Sequence, residues 1–118
     1  MKKIYNKRAI GKQYEEKAAA WLTEKGCKIR ETNFSCRSGE IDIIMMDGIY
    51  IVFVEVKYRK KQTYGLPEES ITLYKRKSLL QSARYYLYKN NLPEEQPCRF
   101  DVVAFLGEEI RWIQNAIE

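Results

Sequence analysis

Residues 41–57 read IDIIMMDGIYIVFVEVK, and this stretch decides the fold. Two apolar runs flank Asp47-Gly48, and an Asp-Gly pair between such runs is a strong short-range signal for a β-hairpin. The second run is apolar almost throughout, which is typical of a central strand covered on both faces. It nevertheless carries Glu55 and Lys57, and charges there are costly unless they are paired, bound to metal or open to solvent. The hairpin therefore predicts both the centre of a sheet and the place of a functional site.

Around this hairpin the hydrophobic periodicity alternates between helix and strand. In chain order it predicts a helix at residues 8–25, a weak strand at 27–34 and, after the hairpin, a polar loop at 58–70. A second helix is predicted at 71–90, a buried strand at 100–106 and a short final strand or tail at 110–117. The expected order is α-β-β-β-α-β-β. The fold class is therefore α/β, a mixed β-sheet with helices packed on it.

Composition narrows the chemistry available to the chain. There is no histidine among the 118 residues, which excludes Ser-His and Cys-His pairs and histidine-ligated zinc. Cys27, Cys36 and Cys98 are too few and too scattered for a disulfide framework, so we expect reduced thiols. No apolar run approaches the roughly 20 residues of a membrane span, and no signal peptide is apparent. We expect a cytoplasmic protein, whose net charge of +5 favours a polyanionic partner.

The register of the hairpin predicts which charges lie together. If Asp47-Gly48 is a two-residue loop, Asp42 faces Phe53 and lies one diagonal step from Glu55, roughly 7–8 Å away between backbones. Both carboxylates then share one face of the sheet. A three-residue loop or a single bulge would instead move Asp42 to the other face. The prediction of a shared site thus depends on the register.

Two carboxylates without histidine or paired cysteine are hard oxygen donors, which favour Mg²⁺ or Mn²⁺. The carbonyl of Val56 is a further candidate ligand. Lys57 is placed to orient an attacking water or to offset charge on a phosphate, and these parts together describe phosphodiester hydrolysis. The structural alternative is a Glu55–Lys57 ion pair at a strand end, with Asp42 as an ordinary acid near a turn.

Basic and aromatic residues follow the proposed site and begin the second helix. They predict a nucleic-acid-binding rim in which cations contact phosphates and tyrosines contact unstacked bases: Arg59, Lys60, Lys61, Lys75, Arg76 and Lys77, with Tyr58, Tyr64 and Tyr74. Gln81 and Tyr85, spaced as one helical pair, are predicted at the edge of the site. The alternative for each residue singly is a solvated loop or helix start.

The segment Gly39-Glu40-Ile41-Asp42, followed by VFVEVKYR at residues 52–59, resembles the PD-(D/E)xK core. In more detail the chain is similar to the YraN-like family, which is related in fold to archaeal Holliday-junction resolvases. The similarity runs from about Arg8 to the C-terminus. It includes several further positions: Gly11, Glu15, Asn33, residues 99–103 and residues 115–116.

This resemblance implies a restriction-endonuclease-like core, with residues 1–118 forming a single PD-(D/E)xK nuclease-like domain. It also implies metal-dependent cleavage of nucleic acid, with DNA, including branched DNA, as the expected substrate. By position, Asp42 and Glu55 would hold the metal, Lys57 would serve the water and Glu15 would complete the acidic cluster. Tyr14 departs from the family pattern, which has a glycine there. A homodimer is conceivable by analogy with the resolvases.

Two other functions fit the same residues, because a fold does not determine an activity. One is a non-catalytic nucleic-acid-binding module that keeps the nuclease fold and uses the basic rim without metal. The other is a protein-interaction domain whose acidic cluster is structural. Asp101, within the matching residues 99–103, is expected to be structural.

Overall fold

The computed structural model describes residues 7–59 and 73–116, which form two helices and five strands in the predicted order. In chain order these elements are α1 Lys7–Glu24, β1 Lys28–Cys36, β2 Gly39–Asp47, β3 Tyr50–Arg59, α2 Leu73–Lys89, β4 Cys98–Leu106 and β5 Glu109–Ile113. The predicted weak strand forms β1, and the predicted final strand or tail forms β5. The first two residues of the predicted loop extend β3, and most of that loop lies outside the described residues. Neither described helix combines the length and apolar character needed to cross a membrane.

The five strands form one mixed sheet in the order β1-β2-β3-β4-β5, with β3 at its centre. All neighbouring pairs are antiparallel except β3 and β4, which α2 connects in parallel. Alternate residues of β3 enter two separate cores. Val52 and Val54 pack in a cluster with α1, whereas Ile51 and Phe53 pack in a cluster with α2. The prediction that this strand is covered on both faces is confirmed.

The helix α1 ends where its sequence predicts. Gly26 has a φ of 98°, a conformation that L side chains rarely adopt. This allows the N–H groups of Lys25, Gly26 and Cys27 to donate to carbonyls of the last turn. Cys27, a free thiol, is then buried in the α1 cluster as the chain turns into β1.

The hairpin register differs from the prediction by two residues. Asp47 pairs with Tyr50, so the two-residue loop is Gly48-Ile49 rather than Asp47-Gly48. The physical reason lies outside the hairpin: Arg99 Nη2 donates to Asp47 Oδ2 at 2.8 Å, which holds Asp47 in the ladder. Gly48, at a φ of 63°, is the first loop residue. A shift of two residues preserves which face each side chain occupies.

A buried carboxylate joins the hairpin to the C-terminal strands. The side chain of Asp101, on β4, is 0% exposed and accepts bonds from both Nε and Nη2 of Arg99. It also accepts from Trp112 Nε1 at 2.9 Å and from the backbone N–H of Asn115 at 2.9 Å. Arg99 reaches Asp47 as well. These contacts support a structural role for Asp101.

We expect Asp101→Asn to lower the free energy of unfolding by about 3 kcal/mol, because it leaves the largely buried Arg99 without its fully buried charge partner. Urea denaturation measures this. Glu109→Gln is the matched control: it breaks the exposed Arg111–Glu109 pair, 3.0 Å between Nη2 and Oε2, and should cost less than about 1 kcal/mol. Equal losses in the two variants would contradict a central role for Asp101.

Candidate functional site

The site begins where β2 separates from β3. Their ladder runs from Asp47↔Tyr50 to Ile43↔Val54. Beyond it the N–H of Val56 donates to Asp42 Oδ2 at 2.8 Å, so a carboxylate replaces the backbone acceptor. The N–H and C=O of one strand residue lie on the same edge, and the carbonyl of Val56 is therefore directed toward the same opening. A notch lined by oxygen atoms results.

Asp42 does not follow the simple alternation that the sequence predicts. Ile41 and Ile44, three residues apart, both pack in the cluster with α2, while Ile43 between them packs in the cluster with α1. The alternation is interrupted at this point, and Asn33 on the adjacent β1 has a φ of 53°. The expectation that Asp42 lies squarely on the face of Glu55 is thus corrected. Its carboxyl lies in the notch and reaches residues from both faces.

Glu15 contributes a second carboxyl from α1. Its carboxyl interacts electrostatically with that of Asp42, and its Oε1 is buried without a hydrogen-bond partner among the residues that the structure describes. Tyr14 stacks on Tyr58 of β3 with 4.4 Å between ring centroids, which fixes α1 over this end of the sheet. Two neighbouring carboxyls repel each other when both are ionised. The Glu15–Asp42 pair therefore needs a proton or another cation.

Glu55 completes the acidic group from the α2 face of β3. It is 7% exposed, and its Oε1 lies 3.3 Å from Lys75 Nζ and 4.0 Å from Lys57 Nζ. Both ammonium groups are more exposed than the carboxylate between them. A buried charge of this kind is tolerated only with such partners.

The carboxyl groups of the site resist ionisation. Burial, followed by the charge of Asp42, raises the pKa of Glu55 to about 6, although Lys75 and Lys57 oppose the shift. Burial also raises the pKa of Asp42 to about 6 against the bond from the Val56 N–H. Burial raises the pKa of Glu15 too. Raised carboxyl pKa values concentrated at one cleft are typical of functional sites.

A cleft of about 600 Å³ opens beside Asp42 and Glu15, within the usual size range of a ligand site. Its lining combines acids, cations and small polar residues: Arg8, Gly11, Lys12, Glu15, Asn33, Ser35, Glu40 and Asp42. The sequence reasoning did not assign roles to Arg8, Lys12 and Glu40. The spacing of Arg8 and Lys12 could have indicated such a role. They precede Glu15 by seven and three residues and therefore lie on the same side of α1. Glu40 precedes Asp42 by two strand positions.

The donors of this site fit a hard divalent cation. No group of three or more His, Cys, Asp or Glu side chains within residues 7–59 and 73–116 is arranged to hold a metal. Mg²⁺, however, is ordinarily bound through only one or two carboxylates and keeps several waters. The carboxylates of Asp42 and Glu55 with the Val56 carbonyl supply that smaller set. A bound cation would offset the charge of these carboxyls, of which Asp42 and Glu55 have pKa values raised by burial to about 6.

The predicted basic rim is only partly assembled. Arg59 is exposed at the end of β3, and Arg76 and Lys77 lie in the first two turns of α2. Lys75 is directed to Glu55 instead of outward. Lys60, Lys61 and the side chains of Tyr64 and Tyr74 fall outside the described residues. Tyr58 packs under α1 against Tyr14, so it is not available as a rim aromatic.

Fold and site together define a mixed α/β domain with an acidic cleft flanked by cations. The chain matches the family model described as "Uncharacterised protein family UPF0102" over residues 14–105. A UPF0102 protein of Lachnoclostridium phytofermentans is 50% identical over 113 residues, which cover 96% of each chain. The UPF0102 protein YraN of Shigella flexneri is 45% identical over 107 residues, covering 90% of this chain and 82% of the relative. The chain belongs to the UPF0102 family, and the predicted YraN-like resemblance is confirmed.

We expect the site to make the metal-free protein less stable as pH rises from about 4 to about 7. The folded-state pKa values of Asp42 and Glu55 lie above their ordinary values, so the folded protein binds more protons in this range. Asp42→Asn and Glu55→Gln should each reduce this pH-dependent loss of unfolding free energy, by on the order of 2 kcal/mol at pH 7. Denaturation in EDTA across this pH range measures the difference from the unsubstituted protein.

Glu16→Gln provides the control, since Glu16 is exposed on α1 beside Glu15. Its unfolding free energy should follow that of the unsubstituted protein at every pH. A constant difference between Asp42→Asn and the unsubstituted protein across the pH range would contradict the assignment.

Proposed function

We propose that this chain is a Mg²⁺- or Mn²⁺-dependent nuclease of the PD-(D/E)xK type, with a restriction-endonuclease-like core, acting on DNA. The observation that carries the proposal is the bond from the Val56 N–H to Asp42 Oδ2 directly beside Glu55, whose Oε1 lies 4.0 Å from Lys57 Nζ. The order of the strands and the central position of β3 support the proposed core. The comparisons give the family alone, so the activity rests on this geometry.

Each residue has a distinct role in the proposed hydrolysis. Asp42 and Glu55 would hold the cation, and the Val56 carbonyl would be a further ligand. Glu15, on α1, would add negative charge that balances the cation. When bound, the cation supplies Lewis-acid polarisation of the phosphoryl oxygen and promotes ionisation of water. Lys57 is partly exposed at 26% and close to Glu55, where it can orient the attacking water and stabilise charge on the phosphate.

The mouth of the cleft supports phosphate as the substrate group. Arg8 and Lys12 line it from α1, opposite the acids of β2. The basic side chains at the entrance would attract a polyanion. The carboxylates beneath would hold the metal ion that neutralises its phosphate. An acidic floor alone would repel DNA, so both parts of the cleft are required by the proposal.

A specific observation favours a second function, a nucleic-acid-binding module that uses no metal. Lys75 Nζ lies 3.3 Å from Glu55 Oε1 and already offsets the charge that a cation would neutralise. In this case Glu55 would be a structural ion-pair partner. Binding would weaken with salt but would be indifferent to EDTA and to Glu55→Gln.

We expect Mn²⁺ binding to separate these functions. Isothermal titration calorimetry at pH 7.5 should show binding that Asp42→Asn and Glu55→Gln each abolish, because each removes one of two carboxylate ligands. The control Glu16→Gln should bind Mn²⁺ like the unsubstituted protein. Circular dichroism establishes that each variant is folded. Unchanged Mn²⁺ affinity in both site variants would exclude the proposed metal centre.

We expect metal-dependent cleavage of labelled single-stranded, duplex or four-way-junction DNA in Mg²⁺ or Mn²⁺. Glu55→Gln should abolish the products, and Lys57→Ala should lower the rate by roughly 100-fold or more, as loss of a transition-state charge contact does. Glu16→Gln should cleave normally. Products that persist in Glu55→Gln would come from another site or a contaminant, whereas binding without cleavage in any metal would favour the second function.

A further inference from the structure

A second depression, here named the distal groove, lies between the β1–β2 turn and α2. Its volume is about 330 Å³, and its lining is Ser35, Cys36, Arg37, Ser38, Tyr85 and Lys89. The sequence prediction placed Tyr85 at the edge of the acidic site. It lies instead in this separate groove, toward the C-terminal end of α2.

The lining has the chemistry of a nucleotide-binding surface. Arg37 and Lys89 are exposed, form no ion pair with any residue in the described ranges, and have no acid beside them in the lining. Tyr85 is 45% exposed although its ring lies against Phe34, with 6.2 Å between centroids and 33° between planes. An aromatic ring that is supported from the core and still exposed can stack on a base at small entropic cost.

The groove is held rigidly by contacts between the turn and the helix. Ser78 Oγ donates to the carbonyl of Ser38, and Cys36 Sγ donates to Ser82 Oγ at 3.4 Å. Gly39 has a φ of 148°, and a Cβ there would meet Ser78 Oγ at 2.3 Å. Only glycine permits this close approach of turn and helix. The groove is therefore part of the framework.

The distal groove adjoins the proposed catalytic cleft. Ser35 lines both depressions. Along α2, residues spaced alternately by three and four positions form one stripe: Lys75, Ser78, Ser82, Tyr85 and Lys89. Lys75 contacts Glu55 at one end, and Tyr85 and Lys89 line the groove at the other. Between them Ser78 bonds to the β1–β2 turn, and Ser82 is buried. Ten helical residues from Lys75 to Tyr85 correspond to about 15 Å. This distance equals about four phosphate spacings of a stacked strand.

We propose that the distal groove binds an unpaired nucleotide of the same DNA strand that the acidic site acts on. Tyr85 stacks on its base, and Arg37 and Lys89 contact its flanking phosphates. The inference rests on the proposed function in taking DNA as the ligand. It adds a substrate class: because a base must leave its helical stack to reach Tyr85, the strand is single-stranded or branched in this region and not continuous duplex.

Binding of a fluorescently labelled single-stranded oligodeoxythymidine to the full chain in EDTA tests this without requiring metal or cleavage. We expect Tyr85→Ala to weaken binding roughly 5- to 100-fold, the range for loss of one stacked base, with no change in salt dependence. Arg37→Ala and Lys89→Ala should each lower the log–log salt slope by about 0.7, the value for one single-strand phosphate contact.

Two residues of α2 outside the groove give matched controls. Tyr88 is 79% exposed, and both Tyr88 and Arg84 line a different depression. Tyr88→Ala and Arg84→Ala should bind within twofold of the unsubstituted protein, as should Tyr85→Phe, which keeps the ring. Equal losses in groove and control variants would show diffuse attraction to a basic surface and overturn the proposal, as would normal binding by Tyr85→Ala.

Together with the cleavage assay, this experiment distinguishes failure of the groove inference from failure of the proposed nuclease activity. If groove variants lose binding but no metal supports cleavage, the groove stands and the proposed catalysis fails. If cleavage depends on Glu55 but Tyr85→Ala binds and cleaves normally, the nuclease stands and the groove inference fails. Substitution of 5-iododeoxyuridine along the strand adds a positional readout. Cross-linking to Tyr85 should peak within about four nucleotides of the cleaved bond.

Discussion

The interaction on which the structure depends most is the buried contact between Asp101 and Arg99. It joins β4 to β5 through Trp112 and to the end of the β2–β3 hairpin through Asp47. Because Arg99 holds Asp47 in the ladder, the hairpin turns at Gly48-Ile49 and its register is set from that end. The ladder then stops at Ile43↔Val54 and leaves the notch next to Asp42. The ion pair thus contacts the hairpin at its turn, whereas the acidic site opens at the opposite end of the ladder.

The site is formed at the expense of stability. Carboxyl groups on a doubly covered strand lose hydration, and their raised pKa values measure that loss. The Val56 N–H, Lys57 and Lys75 offset part of it, whereas Oε1 of Glu15 has no partner within the described chain. Hydrophobic residues at these positions would satisfy the packing of β3 without such a cost. Under the proposed function, a bound cation would offset that cost.

The sequence was sufficient to predict the elements, their order and the central strand, because these depend on periodicity and short-range turn signals. It was not sufficient for the register, since Asp47 is held by Arg99, 52 residues later. The interrupted alternation at Asp42 was equally inaccessible. Asparagine tolerates a positive φ in many contexts, so Asn33 carries no specific signal for it. The turn of Lys75 toward Glu55 depends on how α2 packs on the sheet, a tertiary effect.

Lys75 connects the acidic site to the surface that DNA would occupy. Its ammonium stabilises Glu55 when no other cation is near, and it begins the stripe of α2 that leads to the distal groove. A substrate phosphate drawn to Lys75 would compete with Glu55 for that charge and leave the carboxylate in greater need of a cation. Substrate and metal would then favour each other's binding, and by linkage the effect is reciprocal. The same lysine that suggests a metal-free module would, under the proposed chemistry, couple metal binding to the presence of DNA.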